Sequence, residues 1–457
     1  MENTDLLIIG AGPGGYVAAI RAAQLGMRVI ITDKRKEAGG TCLNVGCIPS
    51  KSLLNSTKHY MEAKNHYPDM GISFDKISLD VEKMIDNKEK TVSDLTNGIA
   101  YLFKKNKITF LNGESSFNKD GSVNIGNDVI KAKHTIIATG STPRELSNFP
   151  VDEKIILSST GAINMKQSPK NMAVIGGGYI GLELGCVWAR TGTNVDVYES
   201  LPNIANGMDT DVIKELTKIL KKQGLNIHTN ANISKAEVKG DKGIVYFEGD
   251  KEKSYDAILI SVGRTPVTEG LNLENVNVAM DDRGFITVDK NFKTSAENIY
   301  AIGDCIGGAM LAHKAEEEGV ALVETLTGQS GHVDYDVIPA VIYTHPEVAT
   351  VGLTEQQVKD KKISYNVGKF PFSANSRART TGDTDGFVKI IAHKETDQVL
   401  GVHIVSEVAG SLIGEAAAIM AFKGSSEDIA RICHAHPTHT EAVKEAALAT
   451  YSNAIHI

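Results

Sequence analysis

Apolar residues along this chain gather into short unbroken runs that stop at glycine. The first, Asp-Leu-Leu-Ile-Ile-Gly at residues 5–10, is apolar at successive rather than alternate positions, which predicts a strand buried on both faces of a parallel sheet. Gly10, Gly12 and Gly15 follow in G-x-G-x-x-G spacing. Residues 16–25 are apolar and alanine-rich and predict a helix, Gly26 suits its C′ position, and residues 28–33 predict a second strand ending on Asp33.

The same arrangement returns later in the chain. An apolar run at 172–175 leads into Gly176, Gly178 and Gly181, Gly192 closes the helix, and the next strand ends on Glu199. In both copies the first and closing glycines are 16 residues apart, and the first glycine and the acid are 23 apart. One such glycine pattern could be a tight turn; two, each with strand before, helix after and an acid at the same distance, predict two dinucleotide-binding turns. The residue types fit that chemistry. Glycines admit a pyrophosphate close to the backbone, the helix N-terminus offers N–H donors and the positive end of a dipole, and the acid accepts from ribose hydroxyls.

Each unit ends on an apolar strand running into a Gly/Pro turn, at 135–143 and 257–266, so the chain is expected to cross between domains at 141–150 and 264–275. Residues 50–105 read as a long, mainly helical stretch. From Tyr335 the pattern changes to strands at 386–393 and 399–405, then helices at 410–424 and 440–453, an α+β tail. The fold expected is α/β, with two Rossmann-like dinucleotide-binding domains and a C-terminal α+β domain. The first would span 1–147, the second 148–275; 276–340 would return to complete the first, and 341–457 would form the last.

Composition narrows the function. The chain has 457 residues, 48 basic and 56 acidic, a net charge of −8 and no basic block, which excludes a nucleic-acid binder and a polybasic membrane attachment. The longest apolar candidate, at 402–422, is broken by Glu407 and Glu415, so no membrane span is expected. The first strand begins by Asp5, which leaves no room for a signal or transit peptide and makes a cytoplasmic location the expectation. Five cysteines are too few for a secreted disulfide scaffold, so the close pair Cys42 and Cys47 predicts chemistry.

That pair lies in Gly39-Gly-Thr-Cys-Leu-Asn-Val-Gly-Cys-Ile-Pro-Ser-Lys51, soon after the first acid. Structural zinc would want four ligands, and Cys186, Cys305 and Cys433 are isolated. A disulfide here would close a short loop and contribute little by chain entropy, whereas a dithiol beside a dinucleotide can exchange electrons with it. Five residues of regular helix rise about 7.5 Å, and a disulfide needs its Cα atoms closer than about 7 Å. A distorted turn is therefore predicted, with Gly46 and Pro49 permitting it. Near the C-terminus His434, His436 and His439 invite a metal reading, but Pro437 interrupts them and no HExxH or facial carboxylate motif accompanies them.

Seven segments spread over the whole chain, residues 10–15, 39–51, 176–185, 299–304, 311–318, 343–355 and 434–441, together resemble the flavin-dependent pyridine nucleotide–disulfide oxidoreductases. The resemblance implies FAD on the first unit, NAD on the second, a redox-active Cys42–Cys47 disulfide and an obligate homodimer, the C-terminal domain being its dimerisation domain. Cys47 would stand nearest the flavin as the charge-transfer thiolate, and Cys42 would exchange with substrate. Asp304 would hold the ribityl chain, and Lys51, ion-paired to Glu183, would lie near the reactive edge of the ring. Thr41, Thr139, Gly140, Ser141, Ala312, His313 and Gly263 would complete the cofactor-binding surfaces. His436 would be the general base and Glu441 its orienting partner, a role that suits a side chain with an ordinary pKa of about 6.5. His439 departs from the leucine common in this motif. Glu199 is followed by Ser200, Leu201 and Pro202 with no arginine, which favours NAD over NADP. The substrate implied is dihydrolipoamide carried on the lipoyl domains of 2-oxo acid dehydrogenase or glycine-cleavage complexes.

Overall fold

The first apolar run forms strand Glu2–Ile9, hydrogen-bonded in parallel to Val29–Asp33 on one side and to Asp128–Ile137 on the other. Leu6 and Ile8 join one hydrophobic cluster with Val29 and Ile31, while Leu7 and Ile9 join another with Ile30 and Ile137. Both faces are covered, which is why the run is continuous. The computed structural model describes residues 2–249 and 251–457. Thr109–Asn112 extends this sheet beyond Val29–Asp33, and the antiparallel pair Ser115–Phe117 and Val123–Ile125 closes its other edge. The seventh strand, Ile299–Ala301, pairs in parallel with Asp128–Ile137, so part of the 276–340 segment is built into this sheet.

A second sheet has five parallel strands in the order Leu225–His228, Asn194–Tyr198, Asn171–Ile175, Ala257–Ile260 and Ile156–Leu157. In each sheet the strand order reverses beside the glycine turn, leaving a crevice at the carboxyl ends of the strands where such folds bind ligands. The two crossings expected near 141 and 264 meet each other, because Ser141–Pro143 pairs antiparallel with Arg264–Pro266.

The third main sheet is antiparallel, in the order Ala340–Ile342, Glu347–Gly352, Val399–Ser406, Phe387–His393 and Tyr365–Pro371. Helices Ala409–Ala421 and Glu441–Leu448 bury Leu412, Ala416, Val443 and Ala446 in its core cluster. Both helices are shorter than their apolar pattern. The second stops where the tail folds back, the N–H of Ile455 donating to Glu445 at 2.7 Å. The long stretch 50–105 is two helices, Cys47–Asn65 and Val81–Lys105, separated by a 3₁₀ turn containing Pro68 and by Gly71 at φ 83°. Asp80 starts the second of them by accepting from the N–H of Lys83.

One buried charge ties the second and third units. Lys389, 1% exposed on strand Phe387–His393, donates to Asp209 at 2.9 Å, Asp211 at 3.1 Å and Glu355 at 2.7 Å. Asp209 also caps helix Thr210–Lys222, accepting from the N–H of Asp211. Removing the ammonium strands these carboxylates beside one another. Lys389→Met is expected to cost about 3–5 kcal/mol, read as an earlier thermal unfolding transition, whereas Lys218→Met on the exposed face of the same helix leaves that transition in place.

Candidate active site

The two glycine turns are alike in their hydrogen bonds as well as their spacing. The N–H of Ala11 donates to Asp33 at 2.8 Å, and the N–H of Gly177 donates to Glu199 at 2.8 Å. Each acid also accepts from the N–H two residues on, Arg35 and Leu201 respectively, at 2.8 Å in both cases. A Cβ at Gly10 would run into the carbonyl of Ala138, and one at Gly176 into that of Ser261, each just past the end of the adjoining strand. Gly15 and Gly181 press in the same way on the carbonyls of Gly10 and Gly176.

Helices Pro13–Gln24 and Tyr179–Arg190 start at Gly12 and Gly178, and neither start has a side-chain cap. Their first N–H groups are therefore available to an anion. Space lies beside both turns, since a Cβ at Gly140, Gly178 or Gly263 would meet no atom within 4 Å. Uncapped helix starts, backbone without side chains and a terminal acid fit a dinucleotide in each crevice. Gly26 and Gly192, at φ 91° and 100°, end the two strand–turn–helix units in the left-handed conformation that glycine adopts readily.

Across the dithiol the backbone breaks as the spacing requires. Helix Gly40–Val45 carries Cys42, Gly46 departs to φ −131° and ψ −109°, and a new helix begins at Cys47. A side chain at Gly46 would stand 2.9 Å from the carbonyl of Thr41, so the break needs glycine there. Both cysteines are free thiols, half-buried and close enough to influence each other. That interaction separates their acidities. It holds Cys42 protonated and above the ordinary thiol range, an effect burial reinforces. It lowers Cys47, which burial opposes and the Lys51 charge supports. The pair is thus poised to hold one thiolate, at Cys47.

Lys51 lies one turn beyond Cys47 and its Nζ is 2.7 Å from Glu183, whose side chain is 3% exposed. Burial disfavours the lysine charge, but the Glu183 carboxylate outweighs it and keeps the ammonium. The other oxygen of Glu183 accepts from the N–H of Tyr343 at 2.9 Å, and the Tyr343 ring lies 4.5 Å from Lys51 Nζ. Ser141 donates to Asp304 at 2.5 Å and accepts from Arg264 Nε at 2.7 Å, while Thr139 donates to the carbonyl of Val267. Ala312 and His313 begin helix Ala312–Leu326, with His313 Nε2 2.8 Å from the carbonyl of Pro339.

The three C-terminal histidines lie against three different glutamates. His434, half-buried with its side chain 5% exposed, is bonded to Glu415 at 2.7 Å, which raises its pKa against the effect of burial. His439 is held below its ordinary pKa by burial; it lies 3.1 Å from Glu407 in a direction that makes no hydrogen bond. His436 alone is open, 68% exposed, with Nδ1 bonded to Glu441 at 2.9 Å. Burial would raise the Glu441 pKa, but the N–H of Thr438 and the His436 ring outweigh it, so Glu441 is an anion. Within one chain, Glu441 is the hydrogen-bond partner of the His436 ring, and neither cysteine is. Sequence reasoning passed over Arg264 and Tyr343. Arg264 stands in a Gly-Arg-Thr-Pro turn and Tyr343 opens a motif segment, but only the fold shows that both close the site.

Residues 4–319 match the model of the family described as pyridine nucleotide-disulphide oxidoreductase, and residues 338–447 match the dimerisation domain of that family. The mitochondrial dihydrolipoyl dehydrogenase of Pisum sativum is 50% identical over 466 residues, covering 100% of this chain and 93% of the pea protein. The mitochondrial dihydrolipoyl dehydrogenase of Schizosaccharomyces pombe is 48% identical, with 98% and 90% covered. Among solved structures, the Cu(II) complex of the HOCl-induced flavoprotein disulfide reductase RclA from Escherichia coli matches with a TM-score of 0.88 and 27% identity, over 98% of this chain and 99% of that one. These relatives correct the expectation of a cytoplasmic location, since the pea and fission-yeast proteins are mitochondrial. Sparse cysteines argue against an oxidising compartment without choosing among reducing ones, and where the chain begins does not bear on its destination.

The unequal thiols give a direct test. Ultraviolet titration of the reduced protein is expected to show one thiolate forming below the ordinary thiol range. Cys47→Ser removes that step, and Cys42→Ala moves its midpoint upward by taking away the neighbouring thiol; a low midpoint that survives in Cys47→Ser would place the thiolate elsewhere.

Proposed function

The chain belongs to the pyridine nucleotide-disulphide oxidoreductase family, and we propose that it oxidises protein-bound dihydrolipoamide to lipoamide, using the Cys42–Cys47 pair, FAD and NAD⁺. The observation that carries this reading is the polarised thiol pair, set one helical turn from the Lys51–Glu183 ion pair. Relatives about half identical over essentially the whole chain are dihydrolipoyl dehydrogenases, which supports the same substrate here.

FAD would be held by the turn at Gly10, Gly12 and Gly15 with Asp33, and by Thr41, Thr139, Gly140, Ser141, Asp304, Ala312 and His313. NAD⁺ would be held by Gly176, Gly178, Gly181, Glu199 and Gly263, where Glu199 repels a 2′-phosphate. The chemistry supplied by bound FAD is acceptance of two electrons from the dithiol and donation of hydride to NAD⁺.

The chain's own residues account for the thiol half of the reaction. Because His436 Nδ1 donates to Glu441, Nε2 is left to accept a proton from a substrate thiol. The substrate thiolate attacks Cys42 Sγ of the disulfide, and the S–S bond breaks with its electron pair leaving on Cys47. That leaving group is the thiolate which the nearby Lys51 charge favours. The second substrate thiol loses its proton and attacks its own sulfur in the mixed disulfide. Lipoamide departs, Cys42 leaves protonated and Cys47 remains a thiolate, so two electrons have moved from substrate to enzyme. The exposed His436 points this reading to a homodimer in which each base serves the dithiol of the opposite subunit; the match of 338–447 to a dimerisation domain supports it. The lipoyl domains of 2-oxo acid dehydrogenase or glycine-cleavage complexes would carry the substrate.

Purified protein is expected to turn over dihydrolipoamide with NAD⁺ and to leave glutathione disulfide with NADPH unreacted. Cys47→Ser should lose dihydrolipoamide oxidation while keeping its flavin. His436→Gln should lower kcat by about 10²–10⁴-fold. Equal turnover of glutathione disulfide with NADPH, or undiminished turnover in Cys47→Ser, would overturn the assignment.

A further inference from the structure

We propose that Lys314, Glu318 and Tyr335 are positioning residues that set Asp304 for the flavin. The inference rests on the first crevice being the FAD site. Lys314 and Glu318 lie one turn apart on helix Ala312–Leu326, 2.9 Å from each other, with side chains 2% and 0% exposed. Their polar atoms are directed at the short turn Gly303–Ile306 that carries Asp304. Glu318 Oε2 accepts from the N–H of Gly303 at 2.7 Å, and Oε1 accepts from the Tyr335 hydroxyl at 2.8 Å. Lys314 Nζ donates to the carbonyls of Gly303 at 3.3 Å and Gly307 at 3.0 Å.

Peptide groups on both sides of Asp304 are thereby gripped by one ion pair. The turn needs that grip. Gly303 and Gly307 stand at φ 77° and 80°, and glycine in such positions leaves a turn with little stiffness of its own. The gripping helix is itself seated on the helix of the first glycine turn. A Cβ at Gly14 would stand 2.9 Å from the carbonyl of Ala315, and one at Gly319 would stand 2.7 Å from that of Gly14. Asp304 is therefore registered against the pyrophosphate-binding helix through side chains that touch no cofactor themselves. Its Oδ2 is occupied by Ser141, and Oδ1 accepts no hydrogen bond among the described residues.

Stability alone does not account for the pair. A buried ion pair is often no more stabilising than an apolar pair of similar volume, whereas two carbonyls and an N–H held in fixed directions are something apolar side chains cannot supply. Tyr335, itself 53% exposed, completes the arrangement as a donor, its hydroxyl kept protonated by local desolvation and by the Glu318 charge.

The test uses the holoenzyme. FAD release after dilution is followed as a gain in flavin fluorescence, and folding is followed through Trp188, the single tryptophan, which lies in helix Tyr179–Arg190. Lys314→Met/Glu318→Leu is expected to release FAD tenfold faster or more, on the order of one or two lost hydrogen bonds, with the Trp188 unfolding transition unmoved. Tyr335→Phe, which removes one hydroxyl, is expected to speed release about fivefold and to alter the visible circular dichroism of the flavin. Wild-type release rates in both variants would overturn the proposal, as would faster release that merely follows earlier unfolding at Trp188. If the double variant fails to fold, Tyr335→Phe decides by the same two readings. Wild-type protein that holds no FAD would instead overturn the cofactor reading on which the proposal rests.

Discussion

A carboxylate taken out of water must find partners, and at Glu183 that requirement joins three parts of the chain. Its oxygens meet Lys51, beyond the dithiol, and the backbone of Tyr343, at the edge of the third sheet, while Glu183 itself belongs to the helix that opens the second crevice. Removing Lys51 would leave the buried Glu183 charge uncompensated, so the three units are held in one register where the thiolate forms. The same ion pair keeps Lys51 charged despite its burial, and that charge helps hold Cys47 as the anion of the pair. Geometry and acidity at the centre therefore have a common origin.

Around this junction the architecture is largely a duplicated strand–turn–helix. Much of that was legible in the sequence because it is local. Continuous apolar runs mark strands covered on both faces, and three glycines mark where backbone must approach backbone or ligand. Gly46 between the cysteines marked the break that Cys42 and Cys47 need. The expected pairing of Lys51 with Glu183 is met at 2.7 Å, though they are 132 residues apart in sequence. What the spacing did not contain is the second use of Asp33 and Glu199, whose carboxylates brace the glycine turns from within.

The parts that were not legible depend on distant contacts. Lys389 reads as one more lysine in an apolar strand until Asp209 and Glu355 close around it. Lys314 and Glu318 read as a common helix-surface pair at four-residue spacing, yet both are buried beneath the Asp304 turn. The three C-terminal histidines are indistinguishable by residue type; their different glutamates and different burial leave His436 as the open one. The helical pattern of the last segment runs on past Leu448, but Glu445 draws the tail back and ends the helix early.

The central claim is that the charge at the junction supports the Cys47 thiolate. Its most direct test is the pH midpoint of the long-wavelength charge-transfer absorbance in reduced holoenzyme, compared between wild type and Lys51→Met. Since the lysine charge lowers the Cys47 pKa, the account predicts a midpoint that moves to higher pH in the variant, with the band still appearing at alkaline pH. An unchanged midpoint in a variant that keeps its flavin would contradict it.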